Sequence, residues 1–478
     1  METLTKRILA IVIIAAIGTG IGVGAWYFLL APGAGEYVWG SKDCPGAPAG
    51  LTSDLIIKFG CAGDTGEIQG DANYEGVYFA AKTINEGGGV TIDGTTYYIG
   101  VTREDTDESN PNLVTSRGIA AAERLVYNKK IDFAVGGFRS EALLAYQEVF
   151  MDNKIIFINT GAATDIFCAN VKNYYDRYKY FFRFMPINSS ALSAEIVAFL
   201  LTYQAVLNAT YAGGYGGEEI DTVGILAEDL TWTEGMTTNM PPGLAYYSGG
   251  KITVPAAAVI RYDVTLSAAD MNTHLQTMTA QGVDILIPTI SAQGGIMMMQ
   301  QYAILQPNYL IIGIDVQSQL DTFWAQSGGD CIYETIMQTI HRCNKSATTI
   351  SFWDAFIAHF GHEPLYIACG SHDAVMGIID AAVAQDSLDA LDIIAEMETW
   401  TRANPHPGVS GGGAWWPDTH DLVEGWPFSY TMWVQWQADS TKVVVPAYGN
   451  EYPNDRITPM GTYQVPPWVH TAWSTPTP

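Results

Sequence analysis

Leu55–Cys61 reads LIIKFGC, and Ala62–Gly70 continues as AGDTGEIQG before a run of helical spacing from Asp71 to Asn85. A short unbroken apolar run, closed by a glycine-rich loop, is the pattern of a strand buried on both faces. A strand that passes through such a loop into a helix is the first half of a βαβ unit. The same alternation recurs outward from this point. Tyr97–Thr102 reads as a strand, and Asn112–Tyr127 has helical spacing at Leu113, Ile119, Ala122 and Val126. Phe133–Val135 is a short strand, Ser140–Met151 a helix, and Ile155–Ile158 a buried strand that runs into Thr160–Thr164. A second block repeats the scheme. It has a helix over Ala191–Leu207, a strand over Thr222–Ala227, a helix from Thr233, and strands at Asp284–Pro288 (DILIP) and Tyr309–Ile314 (YLIIGI) with a helix between them. Helices over Ser351–Phe360 and His372–Gln385 and two Trp-rich strands complete the body. Strands alternating with helices predict an α/β protein of two doubly wound parallel-sheet lobes with right-handed crossovers. Ligands of such sheets lie beyond the carboxyl ends of the strands, so two facing lobes predict a cleft there.

The 478 residues carry 50 acidic and 23 basic side chains, a formal charge of −27. A polyanion without a basic patch repels phosphate backbones, which excludes nucleic acid as a partner. Charged residues make up 15% of the chain, below the usual share of about 25%, so it is not a charge-rich disordered chain. Lys6 and Arg7 precede an uncharged stretch from Ile8 to Ala31. Its 24 residues exceed the roughly 20 that cross a bilayer as a helix and the usual core of a cleaved signal. The expectation is an N-terminal transmembrane helix, with a cleaved signal as the alternative. The basic pair puts the N-terminus in the cytoplasm and the body outside the cell, anchored in the cytoplasmic membrane. Pro32–Gly50 reads as a spacer and Gln464–Pro478 as a loose tail. Six cysteines fit an exterior location, and Cys331 with Cys343 is the close pair that a bridge would join. Asn188, Asn208 and Asn344 lie in glycosylation tripeptides.

Several strand ends offer polar groups to the cleft. Gly136–Ser140 (GGFRS) and Thr160–Thr164 (TGAAT) both lead into helices. Two helix N-termini with free N–H groups and hydroxyls would seat one carboxylate; the plain alternative is that Ser140 and Thr164 merely cap their helices. In the second block Trp232, Ser291 and Gln293, and Asp315 follow successive strands. An acid at a strand end suits an ammonium, and Trp232 could offer a face to a cation or an apolar group, although a lone aromatic is more often core.

These residues resemble a known family. FGCAGDTGEIQG (59–70), REDTDESNP (103–111), VGGFRSE (135–141), INTGAATD (158–165), GILAEDLTWTEG (224–235), GVDILIP (282–288), IIGID (311–315), SHDAVMGIIDAA (371–382) and HDLVEGWP (420–427) with WVQWQ (433–437) stand in the order of the solute-binding proteins of ABC importers. The likeness is to the Leu/Ile/Val-binding type with a type I periplasmic-binding fold. It implies two lobes joined by a three-strand hinge, with crossovers near 185–190, 335–345 and 420–428. Residues 1–31 would be the anchor or signal and 32–53 a linker. Residues 54–187 plus 340–422 would form lobe 1, 188–339 plus 423–450 lobe 2, and 451–478 a C-terminal extension. It further implies that Ser140, Ala162 and Thr164 hold a ligand carboxylate, and that Asp315 and a carbonyl near Ala162 meet its ammonium. Trp232 stands where relatives often have Tyr. Arg139 beside Ser140, and Ser291 in place of a second-lobe Tyr, depart from the pattern and leave an amino-acid-like or small carboxylated ligand. The implied partners are an ABC permease and its ATPase subunit, since this chain has no Walker loop. A surface sensor or structural protein of the same fold is the alternative.

Enzymatic and metal readings find little support. Gly408–Gly412 matches G-x-S-x-G, but RANPHP (402–407) precedes it where a nucleophile elbow needs a core strand. His359, His362 and Glu363 lack the order of a zinc motif, and Asp105 and Asp107 lack the glycine and the final glutamate of a calcium loop. No enzyme activity, cofactor or metal is expected.

Overall fold

The computed structural model describes residues 37–211, 219–291, 293–449 and 451–474. The segment read as an anchor lies outside the described residues.

Lobe 1 is built on six strands: β1 (Ile56–Gly63), β2 (Val90–Ile92), β3 (Thr95–Asp105), β4 (Phe133–Gly136), β5 (Ile156–Asn159) and β6 (Phe181–Arg183). Their order in the sheet is β2-β3-β1-β4-β5-β6, parallel except for β2, which runs antiparallel to β3. The stretch LIIKFGC forms the core of β1, paired through Phe59 with Val101 on one side and Phe133 on the other. Helices cover the sheet here, and nearly every β1 side chain is buried, which is why its run is unbroken rather than alternating. The helix Ile68–Glu86 packs against the helix Tyr366–Gln385 so closely that a Cβ on Gly76 would stand 2.2 Å from the Ala368 carbonyl oxygen. Tyr366–Gln385 is long and apolar enough to cross a bilayer, yet 78% of its most apolar window is buried inside the protein.

Lobe 2 holds β7 (Val223–Glu228), β8 (Val259–Tyr262), β9 (Ile285–Ile290), β10 (Leu310–Asp315) and β11 (Thr335–Gln338). The chain then returns to lobe 1 for two small hairpins, β12 (His406–Gly408) with β13 (Gly411–Gly413) and β14 (Trp415–Trp416) with β15 (Asp421–Leu422). It comes back to lobe 2 as β16 (Met432–Trp436) and β17 (Lys442–Val444). The seven-stranded order is β17-β16-β11-β10-β9-β7-β8, parallel from β11 to β8 and antiparallel at β16 and β17.

Three crossovers join the lobes, at 184–188, 339–348 and 423–431. Two buried cations tie them. Arg183 of β6, fully buried, donates from Nε to Asp421 of β15 at 2.7 Å, and Asp421 also accepts from Asn188, so the strands that lead into the first and third crossovers are joined. Lys345 donates to the carbonyls of Thr339 (2.5 Å) and Tyr430 (2.6 Å), joining the second to the third. Lys345 makes no ion pair among the described residues, and burial brings its ammonium down to about 8.

Three expectations need correction. All six cysteines are free and buried; Cys343 packs on Met432, with 3.4 Å between sulfurs, and no bridge joins it to Cys331. The distal spacer is not free: Trp39 and Cys44 sit in the lobe 1 core, and Trp39 Nε1 donates to the Lys129 carbonyl at 2.6 Å. The C-terminal segment is docked too. Pro467–Ser474 is a helix, starting on proline, that buries Val469 and Trp473. In the first two cases apolar side chains too few to show a periodicity still found a core to enter, and in the third the helix is two turns long.

Candidate functional site

The cleft between the lobes holds a cavity that offers about 50 Å³ to the centres of water-sized molecules, room for a handful of them. Its walls come from the carboxyl ends of the strands, as the open-sheet rule requires. Lobe 1 supplies Glu108 and Ser109 after β3, Phe138 and Arg139 after β4, and Gly161 and Ala163 after β5. Lobe 2 supplies Leu230 and Trp232 after β7, Ser291 and Gln293 after β9, and Val316 and Gln319 after β10. Pro186, Thr339 and Thr431 enter from the three crossovers. Among the described residues, hydrogen bonds cross the cleft at several points. Thr231 N donates to Glu141 Oε1 at 2.6 Å, Gln293 Nε2 to the Ser109 carbonyl at 3.2 Å, and Gln69 Nε2 to the Ser291 carbonyl at 3.4 Å.

Of the residues picked from the sequence, Arg139, Trp232 and Ser291 line this cavity; Ser140, Ala162, Thr164 and Asp315 do not. The reasons are specific. The N–H groups of Phe138 and Arg139, at the start of the Ser140–Asp152 helix, both donate to Glu108 Oε2, at 3.2 and 3.1 Å. The chain's own carboxylate therefore sits on the anion seat. Burial pushes Glu108 up to about 7, while the N–H of Phe138, the Thr106 hydroxyl and the N–H of Arg139 pull it back. At the second seat, Gly161 N and Ala162 N donate to Asn159 Oδ1 at 3.1 and 2.9 Å. The Ala162 carbonyl accepts from Arg183 Nη1 and Asn159 Nδ2, and the Thr164 carbonyl from Arg183 Nη2.

Asp315 is fully buried and turned inside lobe 2. Its Oδ1 accepts from Gln317 N and Ser318 N at 3.0 and 3.4 Å, and a Cβ on Gly295 would stand 2.0 Å from Oδ2. Glu334 lies in the same interior, bonded by the Ser318 hydroxyl at 2.6 Å. Burial raises Asp315 to about 7, helped by the charge of Glu228, and raises Glu334 further through Asp315. Glu228, the other second-lobe acid, accepts from Ser291 N, the Ser291 hydroxyl and Gln293 N at 2.8, 2.6 and 3.0 Å. These acids brace the cavity wall from behind.

Four lining residues keep a buried polar atom without a hydrogen bond inside the protein: Ser109 Oγ, Arg139 Nε, Trp232 Nε1 and Gln319 Oε1. Buried polar atoms are nearly always satisfied, so this group marks where a ligand would be met. Arg139 is held by Nη1 donating to the Asn110 carbonyl at 2.9 Å, with Nε 3.4 Å from Glu141 Oε2. The sequence reading missed Glu108, Ser109 and Gln319. They lie in an acidic loop and a short 3-10 turn with no periodicity, and Glu108 meets N–H groups 30 and 31 residues further on, a meeting that only the fold brings about.

The G-x-S-x-G stretch is the turn between β12 and β13, where Ser410 donates to Asp373. Among the described residues no cluster of three or more His, Cys, Asp or Glu could hold a metal.

The sequence profile described as periplasmic binding protein matches residues 60–432. The chain belongs to that family. No curated protein matches it in sequence. Solved structures share its fold at low identity. A putative branched-chain amino acid ABC transporter protein from Silicibacter pomeroyi is 16% identical with a TM-score of 0.66, over 86% of this chain and all (100%) of that one. The leucine-binding protein LivK from Thermotoga maritima is 16% identical with a TM-score of 0.62, over 81% and 97%. A solute-binding protein of an ABC transporter from Rhodopseudomonas palustris BisB5, in complex with 3,4-dihydroxybenzoic acid, is 18% identical with a TM-score of 0.63, over 81% and 95%. The two lobes of this periplasmic binding protein thus meet across the cleft in which its candidate site lies.

Proposed function

We propose that this protein captures one small carboxylated solute between its lobes, outside the cell, and presents the closed form to the permease of an ABC importer, with residues 8–31 as its membrane anchor. The reading is carried by the cavity at the cleft, walled by both lobes and the three crossovers, in which Ser109, Arg139 and Trp232 each keep a buried donor unused. Such donors are worth most to an anionic acceptor, because bonds to a charged group are about twice as strong as neutral ones. The apolar remainder, including Phe138, Leu192, Leu230 and Met337, suits a compact hydrocarbon body. Carriage of amino acids or aromatic acids by proteins of the same fold supports a ligand of this size. Closure is a hinge motion about the crossovers.

The test is native mass spectrometry of the gently purified full chain, followed by thermal shift with panels of small carboxylates, amines and neutral sugars. One carboxylate should bind per chain, and Arg139→Met should weaken it at least tenfold. Stabilisation by amines or sugars alone, or an unchanged affinity in Arg139→Met, would refute the reading.

A further inference from the structure

We infer that the solute is an acid without an α-ammonium group, held by side chains rather than by the main-chain clamp of an amino-acid receptor; this rests on the carboxylate reading above.

An amino acid needs two complementary ends. Its carboxylate would use the main-chain N–H groups after β4 and β5, and its ammonium a carbonyl of lobe 1 and an acid of lobe 2. Most of these partners are engaged within the protein, and the two that keep an unbonded atom, Ser140 Oγ and Asp315 Oδ2, do not line the cavity. Glu108 takes the N–H groups of Phe138 and Arg139, and Asn159 takes those of Gly161 and Ala162. Arg183 and Asn159 together take the Ala162 carbonyl, and Arg183 takes that of Thr164. Asp315 lies behind the cavity wall, and Glu228 is committed to the Ser291–Gln293 loop. The arrangement is not a loosened clamp but one closed from inside by side chains of the chain itself.

What stays unused is weighted towards donors, the Ser109 hydroxyl being able to accept as well. Three of the four unsatisfied lining atoms are donors: the Ser109 hydroxyl, Arg139 Nε and the Trp232 indole N–H. Gln319 Oε1 is the one among them that can only accept. A buried ammonium carries three donors and needs acceptors for them. Glu108, the carboxylate in the lining, already accepts from two N–H groups and the Thr106 hydroxyl. Burying an ammonium without charge compensation is heavily penalised, whereas a carboxylate gains two neutral donors and Arg139 Nε, whose charge it shares with Glu141 at 3.4 Å. Arg139 and Trp232 approach from opposite lobes, so one carboxylate could be gripped by both, which would couple recognition to closure.

The experiment compares matched pairs that differ by the amino group: L-leucine against 4-methylpentanoate, and L-phenylalanine against 3-phenylpropanoate, titrated calorimetrically into the full chain. In at least one pair the deaminated acid should bind at least tenfold more tightly, and Trp232→Phe, which keeps an aromatic body but removes the indole N–H, should weaken that acid several-fold. Equal or tighter binding of the amino acid overturns the inference while leaving the carboxylate reading intact. Binding of neither member of either pair, with a different solute class bound instead, overturns both.

Discussion

Asp421→Asn tests how the hinge holds the cavity rim. Arg183 has no exposed side-chain surface and Asp421 has 7%, with 2.7 Å between Nε and Oδ1. Asp421 Oδ2 also accepts from Asn188 Nδ2 at 2.9 Å. An asparagine keeps the shape and one oxygen for Arg183, but its amide nitrogen then faces the donating Nδ2 of Asn188, and the guanidinium loses its counter-charge. Removing one partner of a buried pair costs about 3–5 kcal/mol, because the other charge is left uncompensated. The chain's net charge of −27 does not replace it, since exposed charges beyond about 10 Å are largely screened. Arg183→Met should be worse still: it frees Asp421 and also leaves the Thr164 carbonyl without Arg183, adding about 1–3 kcal/mol for a buried acceptor. In the double variant Arg183→Met with Asp421→Leu the charges vanish together, so its loss should fall well short of the sum of the two single losses. The assay is urea unfolding followed by tryptophan fluorescence at neutral pH. A loss below about 1 kcal/mol in Asp421→Asn, the range of an exposed pair, would refute the claim that Arg183 is a buried charge held chiefly by Asp421, with Asp165 the lesser partner.

Further expectations concern pH, packing and the thiols. Glu108, Glu195, Asp315 and Glu451 are each raised by burial to about 7, so the folded chain keeps protons that the unfolded chain has released above about 4.5. With fewer protons on the unfolded state, stability falls as pH rises through that window; the thermal midpoint should be higher at pH 5 than at pH 7.5, and the opposite slope would refute it. Gly76→Ala should destabilise lobe 1 by at least about 2 kcal/mol, as backbone overpacking does, because its Cβ meets the Ala368 carbonyl at 2.2 Å; an unchanged urea midpoint would contradict the close packing of the two helices. A thiol reagent should label none of the six buried cysteines in the native protein and all six in guanidinium, and a reductant should leave the unfolding midpoint where it was.

The layout was legible in the sequence because it is written in local periodicity. LIIKFGC, DILIP and YLIIGI each fell within or next to a strand of a largely parallel sheet, since an apolar run flanked by turn residues has one stable use in an α/β body. The loops after β4, β5, β7, β9 and β10 could be marked as cleft-facing on the same grounds. What the sequence left open was which polar group would be consumed by which. Glu108 reaches N–H groups 30 residues away, and Arg183 reaches Asp421 across 238 residues. Ser140, Ala162, Thr164 and Asp315 carry the right chemistry at the right strand ends, but the tertiary structure commits their neighbourhood to internal partners and leaves Ser109, Arg139 and Trp232 with donors to spare. Periodicity reports which face of an element is buried. Whether a buried donor or acceptor is satisfied depends on atoms a few ångströms away that come from any part of the chain, and only the folded arrangement brings those together.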